Sequence, residues 1–350
     1  MTGDAKPGVV PQSALYGKGK SLTVCKWAEV FKSIYEVPDQ DRNPEDFWTA
    51  VMAHLSSVGE AIRRTHYKDL LRSAAHAFCW MCSYVTKCNS LPNDVFTICH
   101  TLPEIVGFKF PMVCGHCIQR PCQCHSASMD QVSEKSARYR DLLDDHWQPN
   151  MLKLVPTSTL DWWLKDVFWN LFSSQIHLQT IESIGFHLLE EAGEEAKAVR
   201  QLVQFRRIAD GNVKGVDKSL LEPISKIPDL VAQYEISIKA LKKKFPDAKS
   251  EKELKKKVSP ADNSPVCLKA RLVFAKMDFV IELADSFSWL CAVLLKLGEF
   301  FNQNYPKRSA SLEKWIREEY KYDDTKEKGT CSACCLAKCK CVFFHRPARG

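Results

Sequence analysis

The chain has 350 residues, 45% of them hydrophobic and 26% charged, so it is long and apolar enough to bury two cores. A bilayer-spanning helix needs about eighteen consecutive apolar residues, and the sequence has no such run. The formal charge of +7 is modest for this length and argues against a general nucleic-acid-binding protein. The N-terminus also lacks the charged-then-apolar layout of a secretory signal, and we therefore expect a cytoplasmic protein with no membrane partner.

Apolar residues recur at helical spacing through most of the chain. The pattern covers residues 45–64, 68–88, 160–208 and 266–303, whereas strand-like alternation and glycines are scarce. The sequence therefore predicts an all-α protein. Residues 126–150 are polar and helical in pattern, as expected for a connector.

Two cysteine clusters share the spacing C-x2-C-x4-C-x-C. They are Cys114, Cys117, Cys122 and Cys124, and Cys331, Cys334, Cys339 and Cys341. Four thiolates in a compact loop suit a closed, tetrahedral Zn²⁺ site, and we predict two structural zinc ions. A redox-active or disulfide-bonded cluster is the alternative. His116, His125 or His345 could replace a thiolate, and Cys335 is spare.

Two acidic pairs lie inside largely apolar helical segments. Glu191 and Glu194 form one pair, and Glu282 and Asp285 form the other. Each pair has i,i+3 spacing, which points both carboxylates to one side of a helix. A carboxylate among core residues needs a positive partner or a bound cation, so the four predict an oxygen-rich site for Mg²⁺ or Mn²⁺.

The repeated cysteine spacing accompanies a wider internal repeat. Gly59-Glu60 aligns with Gly193-Glu194, and Phe78-Cys79-Trp80 aligns with Phe287-Ser288-Trp289. We therefore predict two tandem helical units. The first is 1–125 with its zinc loop at 114–124, the connector is 126–150, and the second is 151–350 with its zinc loop at 331–341.

The two copies differ at the acidic positions. Ser57 stands opposite Glu191, Ser73 opposite Glu282 and His76 opposite Asp285, so that Glu60 is the one carboxylate left in copy one. These replacements predict that the first copy does not hold the same metal. We expect it to act as a packing partner for the second copy.

Residues 209–265 have no counterpart in the first copy. This insert carries the lysine runs 242–244 and 255–257. Lysine runs are most often solvated faces of exposed helices. The alternatives are a basic lid over the metal site or a surface for RNA or DNA, and the spacing does not separate these.

The acidic motifs resemble those of a known family. Glu190-Glu191-Ala192-Gly193-Glu194 and Glu282-Leu283-Ala284-Asp285 resemble the E-E-x-x-E and E-x-x-D motifs of the MazG-like, all-α nucleoside triphosphate pyrophosphohydrolases. The cysteine-rich tail of copy one is similar to the ending of some members. The chain departs from the family in its interval of 88 positions between Glu194 and Glu282 and in the lost ligands of copy one.

The resemblance implies cleavage of a nucleoside triphosphate to a monophosphate and pyrophosphate. By similarity, the four acidic residues would ligate Mg²⁺, and Glu190 or Glu191 would orient or deprotonate the attacking water. Lys197 and Arg200 could reach phosphate oxygens or be merely solvated, and Trp289 could stack on a base or be core. The tandem chain would form an intramolecular pseudo-dimer that could associate further.

Two other functions are compatible with the sequence. One is a non-catalytic nucleotide-binding or regulatory module. The other is a zinc-stabilised scaffold that binds nucleic acid or protein through the cysteine loops and lysine runs. The scaffold does not explain why both acidic pairs fall in one copy, so we favour the enzyme.

Overall fold

The computed structural model describes most of the chain. The described residues are 21–36, 39–91, 94–124, 134–147, 151, 154–210, 224–258, 262, 264–304 and 312–341. Within these ranges the chain forms helices and no strand, so the predicted all-α class is confirmed for them. None of the helices in this described part is both long and apolar enough to cross a bilayer.

The helices of the first half are mostly short. They are α1 (Val24–Tyr35), α2 (Pro44–Arg63), α3 (Tyr67–Asn89), α4 (Leu102–Lys109), α5 (Lys135–Asp141), α6 (Leu160–Trp162) and α7 (Asn170–Leu178). Two π-helical stretches, Leu142–Trp147 and Trp163–Trp169, and a 3₁₀ turn, Val155–Thr157, complete this half.

The second half contains the two longest helices. It consists of α8 (Ile181–Ala209), α9 (Ile227–Lys244), α10 (Glu251–Lys257), α11 (Pro265–Asn304) and α12 (Leu312–Glu319). The predicted helical segments 45–64, 68–88, 160–208 and 266–303 therefore fall on helical regions.

Local capping chemistry fixes several helix starts. The Asn43 amide donates to the Asp46 carboxylate at 2.9 Å just before α2, and Pro44 occupies the first helical position. Thr101 and Glu104 form the same arrangement at α4, with 2.6 Å between the Thr101 amide and a Glu104 oxygen. These contacts satisfy backbone donors that a helix N-terminus otherwise leaves unpaired.

The described chain divides into two compact units, each discontinuous in sequence. Unit 1 combines Met1–Tyr84, Pro156–Glu190 and Ser286–Gly350, and unit 2 combines Val85–Val155 and Glu191–Asp285. Each unit thus draws on both halves of the chain. Helix α4 and the first cysteine cluster belong to unit 2, and helix α12 and the second cysteine cluster belong to unit 1.

Unit 1 has an aromatic core. Phe31, Phe78, Trp163, Phe287 and Tyr320 are each at most 1% exposed. The Phe78 and Phe287 ring centroids lie 6.4 Å apart, and those of Phe31 and Tyr320 lie 5.1 Å apart. Rings at these separations account for much of the apolar burial in the unit.

Glycines let α2 and α8 approach closely within unit 1. A Cβ on Gly59 would lie 2.9 Å from Leu189 Cδ1, and one on Gly185 would lie 2.8 Å from Ile62 Cδ1. Each helix therefore offers a glycine against an apolar side chain of the other. This reciprocal contact fixes the register of the pair.

The core of unit 2 includes residues from the predicted connector and from the insert. Tyr139 and Trp147, in the predicted connector, are 1% and 3% exposed. The ring of Tyr139 packs against that of Tyr234 on α9, with 5.4 Å between centroids, and Tyr234 packs on Phe274 of α11 at 5.2 Å. The predicted connector and insert therefore both contribute to the core of this unit.

Candidate functional site

Three of the four predicted carboxylates converge in unit 2. One oxygen each from Glu191 on α8 and from Glu282 and Asp285 on α11 lie within 4.8 Å of one another. Asp285 is buried, at 9% exposure, and the two glutamates are half-buried. We call these three residues the carboxylate trio.

Burial controls the protonation of the trio. Burial raises the pKa of Glu282 to about 9, and the neighbouring charges of Asp285 and Glu191 add to this shift. Burial likewise raises the pKa of Glu191, as does the Asp285 charge. Three carboxylates this close repel one another when ionised, so Glu282 holds a proton at neutral pH.

Lys109 supplies part of that counter-charge. Its Nζ lies 3.3 Å from Asp285 Oδ2, and the residue is 2% exposed. Burial raises the pKa of Asp285 above its ordinary value, and the charge of Lys109 opposes this rise. The sequence motifs did not identify this residue. The signal was its position as a single charge between Phe108 and Phe110, because a lysine in such surroundings needs a carboxylate partner.

Gly115 brings the first cysteine loop against Lys109. A Cβ on Gly115 would lie 2.5 Å from the Lys109 carbonyl oxygen and 2.8 Å from its Cε. Only a residue without a side chain fits there. The loop that carries Cys114 and Cys117 therefore supports the lysine that meets the trio.

Glu190 and Glu194 lie outside the trio. Glu194 is exposed on α8, although its charge contributes to the raised pKa of Glu191. Glu190 is exposed in unit 1, where its Oε2 lies 3.2 Å from Nδ1 of His187. The structure thus brings together Glu191, Glu282 and Asp285, and leaves Glu190 and Glu194 at the surface.

The predicted substrate-binding residues have three different surroundings. Lys197 is exposed and lines a cavity in unit 2. Arg200 is exposed on α8. Trp289 belongs to unit 1, where it is half-buried and stacks on His187 with 4.7 Å between ring centroids.

The cavity in unit 2 has a volume of about 910 Å³. Its walls come from α5, α8, α9, α10, α11 and the first cysteine loop. Seven lysine and arginine side chains line it against three carboxylates. Burial raises the pKa of Asp285, and the charges of Lys135 and Arg138, both in the cavity wall, oppose that rise, so the cavity and the trio share one electrostatic environment.

Each cysteine cluster has the dimensions of a tetrahedral zinc site. The four sulfurs of each cluster lie within 4.8 Å of one another. Cys114 and Cys124 Sγ are 3.7 Å apart, and Cys331 and Cys341 Sγ are 3.9 Å apart. Zinc–sulfur bonds of about 2.3 Å in a tetrahedron place sulfurs about 3.8 Å apart. The donor set fits zinc, and both clusters could hold it.

The histidines proposed as substitute ligands are not needed by these clusters. His116 lies outside the group of four sulfurs and lines the cavity. His125 and His345 lie outside the described residues. The exposed Cys335 Sγ accepts a hydrogen bond from Lys321 Nζ at 3.0 Å.

The positions of the first half that the sequence aligns with the trio carry no carboxylate group of this kind. Glu60 is at the surface, where Arg63 Nε and Arg64 Nε donate to it at 2.7 and 2.5 Å. These hydrogen bonds lower the pKa of Glu60 to about 2. His76, which aligns with Asp285, lies 3.2 Å from Glu319 Oε1 through its Nε2.

Comparison of the chain with protein-family models, with curated proteins and with solved structures finds no match. The resemblance to the MazG-like family therefore depends on the sequence motifs alone.

Proposed function

We propose that unit 2 is a divalent-metal-dependent hydrolase that cleaves a nucleoside triphosphate to a monophosphate and pyrophosphate. The observation that carries the proposal is the convergence of Glu191, Glu282 and Asp285 on one point. The donor set is all oxygen and anionic, as Mg²⁺ and Mn²⁺ require, and the cation-lined cavity offers a place for phosphates.

Glu191, Glu282 and Asp285 would hold the cation. A bound Mg²⁺ or Mn²⁺ neutralises phosphate charge and lowers the pKa of an attacking water. Lys109 holds Asp285 in place and limits the repulsion within the trio. Glu191 is half-buried at the trio, and its carboxylate would also accept a hydrogen bond from the water and orient it.

A structural role for the trio is the alternative, and the Lys109–Asp285 ion pair favours it. In that case the carboxylates and Lys109 would form a buried polar network with no ligand. The network would then tolerate loss of Glu191 without any effect on nucleotides.

Pyrophosphate release from ribo- and deoxynucleoside triphosphates, with Mg²⁺ or Mn²⁺, tests the proposal. We expect metal-dependent release that falls at least about 100-fold in Glu191→Gln, because an interaction worth several kcal/mol in the transition state is removed. Glu318→Gln is the control, since Glu318 is exposed in unit 1 and pairs with Lys314. Absence of release from zinc-loaded, folded protein on every triphosphate would refute the proposal.

A further inference from the structure

Arg138 is a buried cation in the wall of the unit 2 cavity. The residue is 3% exposed and its Nε has no hydrogen-bond partner in the described part of the chain. No carboxylate among the described residues forms an ion pair with it. A buried guanidinium without an ion-pair partner is costly, so its presence points to an anion that binds there.

The surroundings of Arg138 suit a polyanion. Arg138 lines the cavity of about 910 Å³, which is within the usual range for small-molecule sites of about 300–1,000 Å³. Seven cationic side chains against three carboxylates give the lining an excess of positive charge. A single phosphate would use a small part of this volume and charge, whereas a chain of phosphates with an organic group would use more.

Some of the cations in the cavity already have partners and others do not. Lys255 Nζ pairs with Asp278 at 3.1 Å. Lys135, Lys197, Lys252 and Lys256 are exposed, and no carboxylate in the described residues forms an ion pair with them. Together with Arg138, these four lysines can bind anionic oxygens.

The insert builds one side of this cavity. Lys252 and Lys256 lie on α10, which begins where Ser250 Oγ accepts from the Glu253 amide at 3.2 Å. Glu251 anchors the same helix, because its carboxylate accepts from the Ser136 amide at 3.2 Å. This contact joins α10 to α5, the helix that carries Arg138. The basic helix of the insert is therefore held against α5, beside the cavity that Arg138 lines.

An apolar wall completes the cavity. Phe205, Tyr234 and Phe274 line it. Lys255 Nζ lies 4.8 Å from the centre of the Phe274 ring and 5.5 Å from that of Tyr234, so the ammonium covers two of the rings. A ligand that combines phosphates with a planar apolar group matches a cavity with both kinds of wall.

We propose that this cavity binds the phosphate chain and base of a nucleoside triphosphate, with Arg138 as the phosphate anchor and the insert helix α10 as its basic cover. The inference rests on the proposed function, because it takes the bound nucleotide to be the substrate of the carboxylate trio. It also assigns a role to the insert that the MazG-like motifs do not explain.

Calorimetric binding of α,β-methylene analogues of ATP, CTP, GTP and UTP, in Mg²⁺ buffer, tests the inference. At least one analogue should bind, and Arg138→Met should weaken it about 10- to 100-fold, as expected for loss of a charged hydrogen bond. Arg207→Met, on the exposed surface of α8, is the control and should bind normally. Inorganic tripolyphosphate should bind more weakly than the best analogue.

Stability measurements separate a ligand-binding arginine from a structural one. Arg138→Met should be at least as resistant to urea as the parent protein without ligand, because it removes a buried charge that has no ion-pair partner among the described residues. If Arg138→Met does not fold, Lys252→Gln/Lys256→Gln provides a second test on exposed residues and should weaken binding of the analogue. Unchanged binding in both variants, equal binding of tripolyphosphate, or no binding of any analogue would overturn the inference.

The same experiment distinguishes this inference from the proposed function. Analogue binding is measured on the parent protein and on Glu191→Gln. Binding that requires Arg138, in a protein that releases no pyrophosphate from any triphosphate, would refute hydrolysis and retain the cavity as a nucleotide site. Metal-dependent hydrolysis that is unaffected in Arg138→Met would retain the enzyme and refute the cavity.

Discussion

Lys109 and Asp285 form a buried ion pair in unit 2, with 3.3 Å between Nζ and Oδ2. Lys109 is the last residue of α4, and Asp285 lies within α11. Unit 1 contains a pair at corresponding places, because Glu319 is the last residue of α12 and its Oε1 lies 3.2 Å from His76 Nε2. The carboxylate and its basic partner change places between the two pairs. The long helix therefore presents a carboxylate at this position in unit 2 and an imidazole in unit 1.

Removal of Lys109 should make the stability of the protein depend on divalent cations. Lys109→Met leaves Asp285 buried without its partner, and we expect the free energy of unfolding to fall by about 3–5 kcal/mol in EDTA. Saturating Mg²⁺ should recover part of this loss, because the cation supplies the missing positive charge. Urea unfolding with and without Mg²⁺ measures both effects.

The double variant Lys109→Met/Asp285→Asn is the matched control. It removes both charges and should be more stable in EDTA than Lys109→Met alone. If Mg²⁺ stabilises the parent protein and Lys109→Met equally, the lysine does not share the environment of a cation site.

Metal analysis should find two zinc ions per chain. Cys117→Ser or Cys334→Ser should lower the content to one, because each removes a thiolate from a different cluster. Cys335→Ser should retain two zinc ions, since Cys335 lies outside the group of four sulfurs. Mass spectrometry of metal content gives the stoichiometry. A shortfall of free thiols in denatured, metal-free protein would instead indicate disulfides.

The sequence predicted the helices and the members of both cysteine clusters because these features depend on local spacing. A period of about 3.6 residues identifies a helix, and four cysteines within eleven residues can meet without help from distant elements. Local spacing did not identify the role of Lys109. Its role depends on α4 packing in the same unit as Glu191 and Asp285, and periodicity identifies a buried face but not the element that covers it.

The exposure of Glu194 shows that i,i+3 spacing does not determine how deeply each carboxylate is buried. Residues i and i+3 on a helix point about 60° apart. They therefore lie on the same side of the helix but can be buried to different extents. Asp285 is buried three residues after Glu282, whereas Glu194 is exposed three residues after Glu191. The neighbours of each helix decide which member of a pair is covered, and they are not encoded in the motif.

The stability of unit 1 should depend on the titration of Asp161. Burial and the charge of Glu313 raise the pKa of Asp161 to about 7 from an ordinary value of 3.8. Between these values the folded protein holds a proton that the unfolded chain does not, so stability falls as pH rises, by about 1.4 kcal/mol per pH unit, and is level above pH 7. Asp161→Asn removes this dependence.

Urea unfolding at pH 5 and pH 7.5 measures the effect. From pH 5 to pH 7.5, the free energy of unfolding of the parent protein should fall by about 3 kcal/mol relative to that of Asp161→Asn. Asp141→Asn, at an exposed carboxylate of α5, should follow the parent protein at both. Parallel behaviour of Asp161→Asn and the parent protein would show that the carboxyl of Asp161 is not protonated in the fold.

Alanine at two glycines should have opposite effects on stability. The Cβ of Gly115→Ala would lie 2.5 Å from the Lys109 carbonyl oxygen, so the cysteine loop or Lys109 must move. We expect a loss of about 1–3 kcal/mol, as for overpacking in a core, and a weaker response to Mg²⁺. Gly193→Ala meets no atom within 4 Å and lies inside α8, where alanine stabilises a helix by about 1 kcal/mol. Urea unfolding of both variants measures the contrast, and stabilisation by Gly115→Ala would refute the close contact between the loop and Lys109.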